Sequence, residues 1–485
     1  MLELLRARRQ PSPCGLYCEQ AFHPYEEILA TAARQAAALT PGTVVVLVGE
    51  NSLELVQALL AAWWAGCTPV CLPPPARLQQ AGPYQDFLRS CLEHVGATGG
   101  WCDARLEKRL PGQWRSLPLP TAETETGPGP EAACAYIQFS SGTTLEPRAT
   151  RLSHANLAHN LEAIARQLPG DRTRHSCVSW LPLYHDMGLV GCLLSALYAP
   201  GSLSLLTPLQ FALRPDSWLQ TLSQRRASIS VAPNFALEQL LQRGTTQHLD
   251  LSCLQMLLLG SETIRPETLR EFHAKYAGCG LAWEALRPVY GLAENTLAVT
   301  FSAGPRLLGF CLPGEIGGQV TTGTRQLVSL GQPVEGVQVS IGDEQGQPLP
   351  AGSLGSIQVA GPSLAADLNS PYDTGDLGFF WEEELYFVTR RKDVLVHHAR
   401  KHDPEVVEQL VLPFESAAVQ QEHGAVCLIE RPRRGPVPKL DELQRRLSTA
   451  PLPVRAELVD SGWLPRTSSG KISRFRARKK WDVSL

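Results

Sequence analysis

Short apolar runs alternate with longer amphipathic stretches along the first 290 residues of the chain. The apolar runs predict strands at residues 43–48, 67–72, 133–139, 176–180, 202–206, 228–231, 256–259 and 287–290. The longer stretches predict helices at residues 25–38, 52–65, 84–94, 156–168, 189–198, 218–225, 235–242 and 265–276. Strands and helices that alternate with short connections are typical of α/β proteins with largely parallel sheets.

The pattern changes from about residue 327 onward. Short alternating runs at 337–341, 356–359 and 385–388, separated by Gly and Pro turns, predict a small β-barrel-like section. We therefore expect an α/β fold with a large N-terminal domain, residues 1–389, built of mixed and parallel sheets flanked by helices plus this section. Residues 390–485 would form a separate, small α+β domain.

Composition narrows the class of protein. A chain of 485 residues with 44% hydrophobic and 19% charged residues is typical of a soluble globular protein. Its net charge of -3 argues against a general nucleic-acid binder. The thirteen cysteines lack zinc-ligand spacing, which favours reduced thiols. Because the N-terminus also lacks an apolar signal segment and Gly or Pro interrupts the apolar stretches at 53–72 and 188–209, we expect a cytoplasmic protein without a membrane span.

A loop rich in hydroxyl groups follows the strand predicted at 133–139, and its residues are Ser140, Ser141, Gly142, Thr143 and Thr144, with a cation further on at Arg148. Such a loop can direct amides and hydroxyls at phosphate oxygens. It is not a Walker loop, because no Gly-Lys-Ser/Thr closes it. An ordinary Ser/Thr/Gly surface turn explains the loop equally well when it is considered alone.

Five further polar clusters occur at defined places, at residues 183–189, 260–262, 290–294, 372–376 with 390–393, and 464–472. Their sequences are LYHDMGL, GSE, YGLAE, YDTGD with RRKD, and LPRTSSGKI. The first three follow predicted strands, and ligands of open α/β sheets collect at the carboxyl ends of strands. Each cluster alone has a simpler explanation, such as a turn aspartate in Thr-Gly-Asp or a solvated lysine after Ser-Ser-Gly.

Taken together and in this order, the six motifs resemble those of the adenylate-forming superfamily, which contains acyl-CoA synthetases, peptide-synthetase adenylation domains and luciferases. Within it, the chain is most similar to fatty acyl-AMP ligases. That similarity is carried by SWLPLYHDMGLVG at 179–191, APNFA at 232–236, RPVYGLAENTL at 287–297 and TGDLGF at 374–379. It extends from about residue 25 to residue 478, which is nearly the whole chain.

The resemblance implies a nucleotide site. The hydroxyl-rich loop and Arg148 would hold the β- and γ-phosphates of ATP, and Tyr290 would pack on adenine. Asp376 would accept both ribose hydroxyls, with Arg390 beside it. The remaining residues of the predicted nucleotide-binding set are Gly260, Ser261, Glu262 and Gly291.

The resemblance also implies the residues that handle the acid. Lys471 would bridge the substrate carboxylate and the α-phosphate, and Glu294 would help to carry Mg²⁺. His185 is predicted with them as catalytic, although His185 and Asp186 could equally be a structural pair. The predicted acid-binding residues are His185, Met187, Gly188, Asn234 and Phe235. Family members rotate the small domain about a hinge, matched here by Lys392, so a mobile C-terminal domain is expected.

Some positions depart from the family pattern. Leu145, Arg148 and Ala149 stand where Gly, Lys and Gly are usual, Asp373 and Thr389 replace Arg and Gly, and Ala399 and Lys401 replace Gly and Asn. Arg148 keeps the charge but offers a planar fork instead of a point donor. The last domain is short, and the missing helix and strand would fall between 408 and 440. We expect these changes to affect CoA use more than adenylation.

Three functions follow as hypotheses. The first is a fatty acyl-AMP ligase that passes its acyl group to an acyl carrier protein, which the length of 301–325 and the basic run at 474–480 favour. The second is an acyl-CoA synthetase with the same first step. The third is a non-catalytic acyl- or nucleotide-binding relative. The YHDMGL pattern favours an alkyl chain over an amino acid, while a short, branched or aryl acid stays open.

Overall fold

The fold was taken from a computed structural model that describes residues 1–10, 12–75, 81–140, 147–170, 175–199, 201–397, 400–412, 414–422, 424–432, 437–466 and 472–484. For residues 81, 83, 140, 400 and 484 it describes the backbone alone. Across these ranges, no helix combines the length and the apolar character needed to cross a membrane.

The elements are numbered in chain order. Residues 1–135 contribute α1 (Leu2–Ala7), β1 (Gly15–Cys18), β2 (Ala21–Pro24), α2 (Tyr25–Gln35), β3 (Val44–Val48), α3 (Leu53–Trp64), β4 (Thr68–Leu72), α4 (Ala81–Val95), β5 (Gly99–Cys102) and β6 (Gln113–Ser116). Residues 136–301 contribute β7 (Tyr136–Ser140), β8 (Arg148–Leu152), α5 (His154–Arg166), β9 (Ser176–Ser179), α6 (Asp186–Gly188), a π-helical segment (Leu189–Leu194), α7 (Ser195–Tyr198), β10 (Ser202–Leu205), α8 (Pro208–Leu213), α9 (Asp216–Gln224), β11 (Ile229–Ala232), α10 (Asn234–Arg243), β12 (Met256–Leu259), α11 (Pro266–Tyr276), β13 (Leu286–Gly291) and β14 (Ala298–Phe301).

The remaining elements are mostly strands. Residues 302–390 contribute β15 (Leu307–Cys311), β16 (Thr321–Thr322), β17 (Arg325–Val328), β18 (Gln332–Pro333), β19 (Gln338–Gly342), β20 (Gly355–Ala360), β21 (Tyr372–Trp381) and β22 (Glu384–Arg390). Residues 391–485 contribute β23 (Leu395–His397), β24 (Arg400–His402), α12 (Pro404–Gln409), β25 (Ser416–Gln421), β26 (Gly424–Glu430), α13 (Leu440–Leu447), β27 (Val454–Val459) and α14 (Arg474–Ser484).

The central sheet has nine strands in the order β18-β14-β13-β12-β11-β9-β10-β1-β2. Its six inner strands, from β13 to β1, pair in parallel, and the three outer pairings are antiparallel. The predicted α/β class with a large mixed and parallel sheet flanked by helices is confirmed. Because these inner strands are parallel, the residues after β9, β11, β12 and β13 meet at one edge of the sheet.

Local signals explain the helices that flank this sheet. Ser52 accepts a hydrogen bond from the backbone of Leu55 and so begins α3, whose apolar residues are almost all buried. Ser153 and Asn156 form a reciprocal capping box at the start of α5. Strand β1 was not predicted, because its four residues are too few to show an alternation.

The hydroxyl-rich loop is followed in sequence by a strand, β8, and not directly by a helix. Strands β7 and β8 pair antiparallel, with Ser140 opposite Arg148. The expectation that Arg148 lies in a loop before the helix was therefore wrong. Thr150 and Leu152 are buried while Arg151 is exposed, which is the alternation of a half-buried strand.

The predicted β-barrel-like section consists of two antiparallel sheets, β19-β20-β21-β22 and β16-β15-β17. An isolated bridge between Ser329 and Tyr386 joins them. Their shared core is aromatic, with the ring of Phe310 4.9 Å from the rings of both Phe379 and Tyr386. This packing fixes β21 and β22, which carry Asp376 and Arg390.

Residues 395–481 pack around hydrophobic clusters of their own, on both faces of the sheet β25-β26-β27. The strand expected to be missing between 408 and 440 was a wrong expectation, because β25 and β26 both fall there and pair over six residues. Ion pairs join this part to the rest of the chain. Asp403 pairs with Arg325, and the Lys401 ammonium lies 2.8 Å from Glu344.

Candidate nucleotide and acid site

Three polar side chains from different strands meet beside the edge of the central sheet. Tyr290 lies near the end of β13, whereas Asp376 and Arg390 are opposite one another in β21 and β22. The Tyr290 hydroxyl donates to Asp376 Oδ2 at 2.7 Å, and Arg390 Nε lies 3.5 Å from Oδ1. Gly375 precedes the aspartate with a φ of +75°, a conformation that favours glycine.

The Asp376 carboxylate is largely buried and only partly satisfied. Burial raises its pKa above the ordinary value, although Arg390 and the Tyr290 hydroxyl act in the opposite direction. The Arg390 side chain is 47% exposed, so its attraction is screened by water. The carboxylate can therefore accept hydrogen bonds from a ligand, such as those of a vicinal diol.

Tyr372 lies beside Glu294 and within the electrostatic range of Arg148. The Tyr372 hydroxyl donates a long hydrogen bond of 3.5 Å to Glu294 Oε1, and Glu294 lies in the short helical turn Ala293–Asn295. Burial, and after it the Glu294 carboxylate, raise the pKa of Tyr372 to about 12, while Arg148 acts to lower it. A carboxylate and a guanidinium thus both lie within electrostatic range of one hydroxyl.

Glu294 fits a metal that is shared with a nucleotide better than a resident metal centre. Within the residues whose placement is known, no group of three or more His, Cys, Asp or Glu side chains could hold an ion. Mg²⁺ in phosphate-transfer sites is usually bound by one or two carboxylates together with the phosphates of the substrate. A single carboxylate near Arg148 is consistent with that arrangement.

An apolar cavity of about 50 Å³ lies at the same edge of the sheet, between the strand ends and the helices above them. Gly260, Ser261, Tyr290 and Gly291 line it at the ends of β12 and β13. Its other lining residues are Ile164, Asp186, Met187, Gly191, Val231, Leu258, Val289, Leu297, Ala298 and Phe301. Tyr290 therefore belongs both to this cavity and to the polar trio.

Ser261 holds an unusual backbone conformation at the mouth of the cavity. Its φ is +69°, in the left-handed region, and its hydroxyl donates to the Met187 sulfur at 3.4 Å. Strained backbone of this kind costs about 1–3 kcal/mol and clusters at functional sites. Ser261 and Met187 were both predicted as site residues, and the structure brings them together.

Several predicted residues take up positions next to the cavity instead of lining it. The Asn234 amide donates to Glu238 at 2.7 Å, and its oxygen accepts from the Arg265 backbone at 3.1 Å. Glu262 accepts from the Phe235 backbone at 2.5 Å. These bonds stabilise the start of α10, where an acidic side chain is favourable.

The other predicted acid-site residues pack into the scaffold. Phe235 lies in an aromatic cluster, with its ring 5.9 Å from that of Trp180. The His185 ring lies 5.2 Å from that of Tyr184, and His185 directly precedes α6. A Cβ atom on Gly188 would lie 2.3 Å from the Pro182 carbonyl oxygen, so the close packing of α6 excludes a side chain there.

Part of the predicted site lies outside the described residues, namely Ser141, Gly142, Thr143, Thr144 and Lys471. For Ser140 only the backbone is described, and it pairs with Arg148.

Two residues beside the trio had no binding role in the sequence analysis. Tyr372 directly precedes the Asp-Thr-Gly-Asp turn, and its aromatic hydroxyl was the available signal. The predicted hinge residue Lys392 is substantially buried, and burial and Arg390 lower the pKa of its ammonium. Asp376 and Glu294 both act to raise that pKa, so the hinge lysine lies in the field of both carboxylates.

The site thus combines a carboxylate suited to a ribose, a cation and a carboxylate suited to metal-bound phosphates, and an apolar cavity. An α/β enzyme that joins a nucleotide to a small organic molecule is the class that this arrangement defines. The profile of the family described as AMP-binding enzyme matches residues 6–367. The chain belongs to that family, and the predicted resemblance to adenylate-forming enzymes, which use ATP, is confirmed.

Similar proteins agree with this membership. The medium-chain-fatty-acid–[acyl-carrier-protein] ligase JamA of Moorena producens is 29% identical, over 90% of this chain and 85% of that protein. The long-chain-fatty-acid–AMP ligase FadD26 of Mycobacterium marinum is 28% identical, over 90% of this chain and 86% of its own length. A solved structure from studies of fatty acyl-adenylate ligases of E. coli and L. pneumophila is 28% identical with a TM-score of 0.90, and the match covers 100% of this chain and 98% of that one.

Proposed function

We propose that the protein activates a fatty acid with ATP to an acyl-adenylate and then transfers the acyl group to the phosphopantetheine thiol of an acyl carrier protein. The observation that carries the proposal is the double role of Tyr290. Its ring lines the apolar cavity, while its hydroxyl donates to Asp376 at 2.7 Å. A molecule held in the cavity would therefore lie directly beside a nucleotide whose ribose is held by Asp376.

Different residues would bind the ribose, the adenine and the phosphates of the nucleotide. Asp376 would accept the ribose hydroxyls with Arg390 beside it, and Tyr290 would pack on adenine. Gly260, Ser261 and Gly291 line the shared wall at the strand ends. The loop at 140–144 and Arg148 would hold the β- and γ-phosphates, because Arg148 is exposed at the start of β8, next to that loop.

In the first step, a carboxylate oxygen of the acid attacks the α-phosphorus, and the bond to the bridging oxygen breaks so that pyrophosphate leaves. Mg²⁺, when bound, would neutralise charge on the phosphate oxygens, and Glu294 is the residue that would help to hold it. Lys471 would hold the two anionic groups together as the new bond forms. His185, which directly precedes α6, would be a further catalytic residue of this step.

In the second step, the thiol of the carrier attacks the acyl carbonyl, and AMP leaves as the thioester forms. We propose that residues 390–485 form a mobile domain that turns relative to residues 1–389 between the two steps, with Lys392 at the hinge. Lys471 belongs to the moving part by this division, so it would act in the first step and withdraw in the second.

A carrier protein is the preferred acceptor. The exposed side of α14 presents basic residues, among them Arg478, Lys479 and Lys480, and carrier proteins are generally acidic. JamA is named as a ligase of an acyl carrier protein. Use of ATP, together with thirteen cysteines that form no disulfide in the described residues, favours a cytoplasmic location.

Acid-dependent exchange between ATP and labelled pyrophosphate tests the first step. We expect exchange with straight-chain fatty acids and Mg²⁺, and at least tenfold less with norleucine, which has the chain of hexanoate plus an ammonium group. Absence of exchange with every acid would contradict the proposed activity and favour a non-catalytic relative. Equal exchange with norleucine would contradict the choice of a fatty acid.

The acceptor is tested on the same reaction with a phosphopantetheinylated carrier protein or with CoA. We expect mass spectrometry to show an acylated carrier and much slower formation of acyl-CoA. Faster formation of acyl-CoA would identify an acyl-CoA synthetase instead. The Lys471→Ala variant should lose exchange while it still hydrolyses or transfers supplied acyl-adenylate.

A further inference from the structure

We infer that the cavity restricts the acid to a short straight chain of about four to six carbons, with Gly191 and Leu297 forming the wall that sets this limit. The inference rests on the proposed function, since it identifies the cavity as the place of the acyl chain.

The direction of the cavity is given by the register of its strands. Gly260 and Gly291 line it at the ends of β12 and β13, beside the polar trio, and would face the reacting carboxylate. Leu258 and Val289 line it two residues deeper on the same faces. Along β12 the lining therefore extends over two residues, which is a depth of about 7 Å. Since a C–C bond of about 1.5 Å advances an extended alkyl chain by about 1.3 Å, roughly five carbons fit this depth.

The volume leads to the same range. A water molecule needs about 10–15 Å³ of the space that its centre can reach. A cavity of about 50 Å³ therefore holds about three to five water-sized groups. Methylene groups are close to water in size, so the two limits agree.

A charged residue lies beyond the cavity lining along β13. Arg287 follows Val289 on the same face of β13, two residues further in. Its Nε atom is buried and finds no hydrogen-bond partner among the described residues. A longer alkyl chain that advanced along this face would remove water from a guanidinium without replacing its hydrogen bonds, which is unfavourable.

The opposite wall depends on a missing side chain. Gly191 lies in the π-helical segment, and a Cβ atom there would lie 3.0 Å from Leu297 Cδ2 and 3.9 Å from Met187 Cγ. Both neighbours are atoms of flexible side chains, and only Leu297 Cδ2 is close, so a small substitution should fold by displacing the end of the Leu297 side chain into the cavity. The pair of Gly191 and Leu297 thus offers one change that shortens the cavity and one that lengthens it.

Pyrophosphate exchange with straight-chain acids from two to sixteen carbons tests the limit. We expect the highest kcat/KM between four and six carbons, and at least a tenfold lower value for dodecanoate and hexadecanoate. Gly191→Ala should move the optimum to shorter acids by one or two carbons, and Leu297→Ala should move it to longer acids by two or three. The matched controls are Gly278→Ala, where an added Cβ has no neighbour within 4 Å, and Leu213→Ala, whose side chain is 67% exposed.

Binding of acyl-sulfamoyl adenosines of the same chain lengths, measured by calorimetry, separates this inference from the proposed function. If hexanoyl binds best but no acid supports exchange, the activity fails and the length limit stands. If exchange is fastest with eight or more carbons, the activity stands and the limit is overturned. The limit is also overturned if neither cavity variant changes the preferred length while both still bind ATP, or if none of the compounds binds.

Discussion

Two arginine–carboxylate pairs, one across the boundary of the two proposed domains and one within the proposed small domain, differ in how complete they are. Asp376 and Arg390 meet through a single approach of 3.5 Å, and the arginine is 47% exposed. In the small domain, Arg474 makes two hydrogen bonds to Glu408, of 2.7 and 2.6 Å, and is 22% exposed. In the incomplete pair, the Asp376 carboxylate can still accept hydrogen bonds from a ligand. In the complete pair, both carboxylate oxygens of Glu408 already accept hydrogen bonds from Arg474, and the pair stabilises the fold.

The complete pair also joins separate elements. Arg474 begins α14, three residues after Lys471, and Glu408 lies in α12. Arg474 Nη1 also lies 3.4 Å from Asp393, the residue after the proposed hinge. We therefore expect that loss of the Arg474–Glu408 pair affects stability and that loss of the Asp376–Arg390 pair affects catalysis.

The largest expected effect comes from Arg474→Met, which leaves the carboxylates of Glu408 and Asp393 buried without their cation. Breaking such a pair from one side should lower the free energy of unfolding of the small domain by about 3 kcal/mol. Denaturant unfolding followed by a probe in the small domain measures it. The control is Arg478→Met, in the same helix but 51% exposed. A loss as small as that of the control would show that the complete pair is not structural.

The next effect comes from Asp376→Asn. The loss of charge-assisted hydrogen bonds to the ribose should raise KM for ATP by about tenfold to a hundredfold. The same substitution should not lower the stability of the fold. Because burial raises the pKa of Asp376, ionisation at neutral pH destabilises the fold, and the neutral amide removes that cost.

Exchange kinetics of Asp376→Asn should therefore show weaker ATP binding, while thermal unfolding should show an unchanged or higher midpoint temperature. Asp373→Asn is the matched control, since Asp373 lies on the same strand but is 44% exposed and pairs with Arg391. A lower midpoint together with normal ATP binding would reverse the roles assigned to the two arginine pairs.

Sequence reasoning predicted the elements that position the site better than the contacts within it. The apolar run before Gly260 is a strand because its four consecutive buried residues suit a parallel sheet, and its end meets that of β13, with which it pairs in parallel. The hydrogen bond between Tyr290 and Asp376 joins residues 86 positions apart. It depends on how an antiparallel sheet packs beside the parallel one, which no local pattern encodes.

Local sequence patterns also failed to predict the cavity wall at Gly191 and the pairing of β7 with β8. Gly191 looks like any glycine in an apolar stretch until Leu297, more than a hundred residues later, packs against it. Arg148 lies in a strand opposite Ser140, but no strand was predicted there, because the Ser, Thr, Gly and Pro residues between the two positions are typical of loops. The roles assigned to the individual site residues stay predictions.

A smaller effect should come from pH, through Glu405 in the small domain. Burial and the neighbouring carboxylates of Asp403 and Glu408 raise the pKa of Glu405 to about 7, while Arg474 and Arg265 act to lower it. Its folded-state pKa thus lies above the usual value of 4.5. The stability that it contributes is complete below that usual value and is lost as the pH rises through about 7.

Between pH 6 and pH 8, the small domain should lose about 1 kcal/mol of stability. The Glu405→Gln variant should flatten this dependence, because glutamine has no proton to lose. Glu442→Gln, on the exposed side of α13, is the control and should keep the slope of the unchanged protein. An equal slope in Glu405→Gln would show that another group titrates.

The smallest effect should come from the contact between the two proposed domains at Lys401 and Glu344. Glu344 is fully exposed, and Lys401 lowers its pKa, but surface ion pairs are screened by salt. Lys401→Ala should leave the thermal midpoint nearly unchanged, because the backbone bond from Lys401 to the Gly314 carbonyl, 3.1 Å long, does not need the side chain. The expected effect of Lys401→Ala is a weaker salt dependence of small-angle scattering from the free enzyme. In the unchanged protein, rising salt weakens the ion pair and releases the mobile domain, whereas the variant lacks the pair at any salt concentration. A large loss of stability in Lys401→Ala would mean that exposed ion pairs hold the domains together, contrary to the contrast between complete and incomplete pairs.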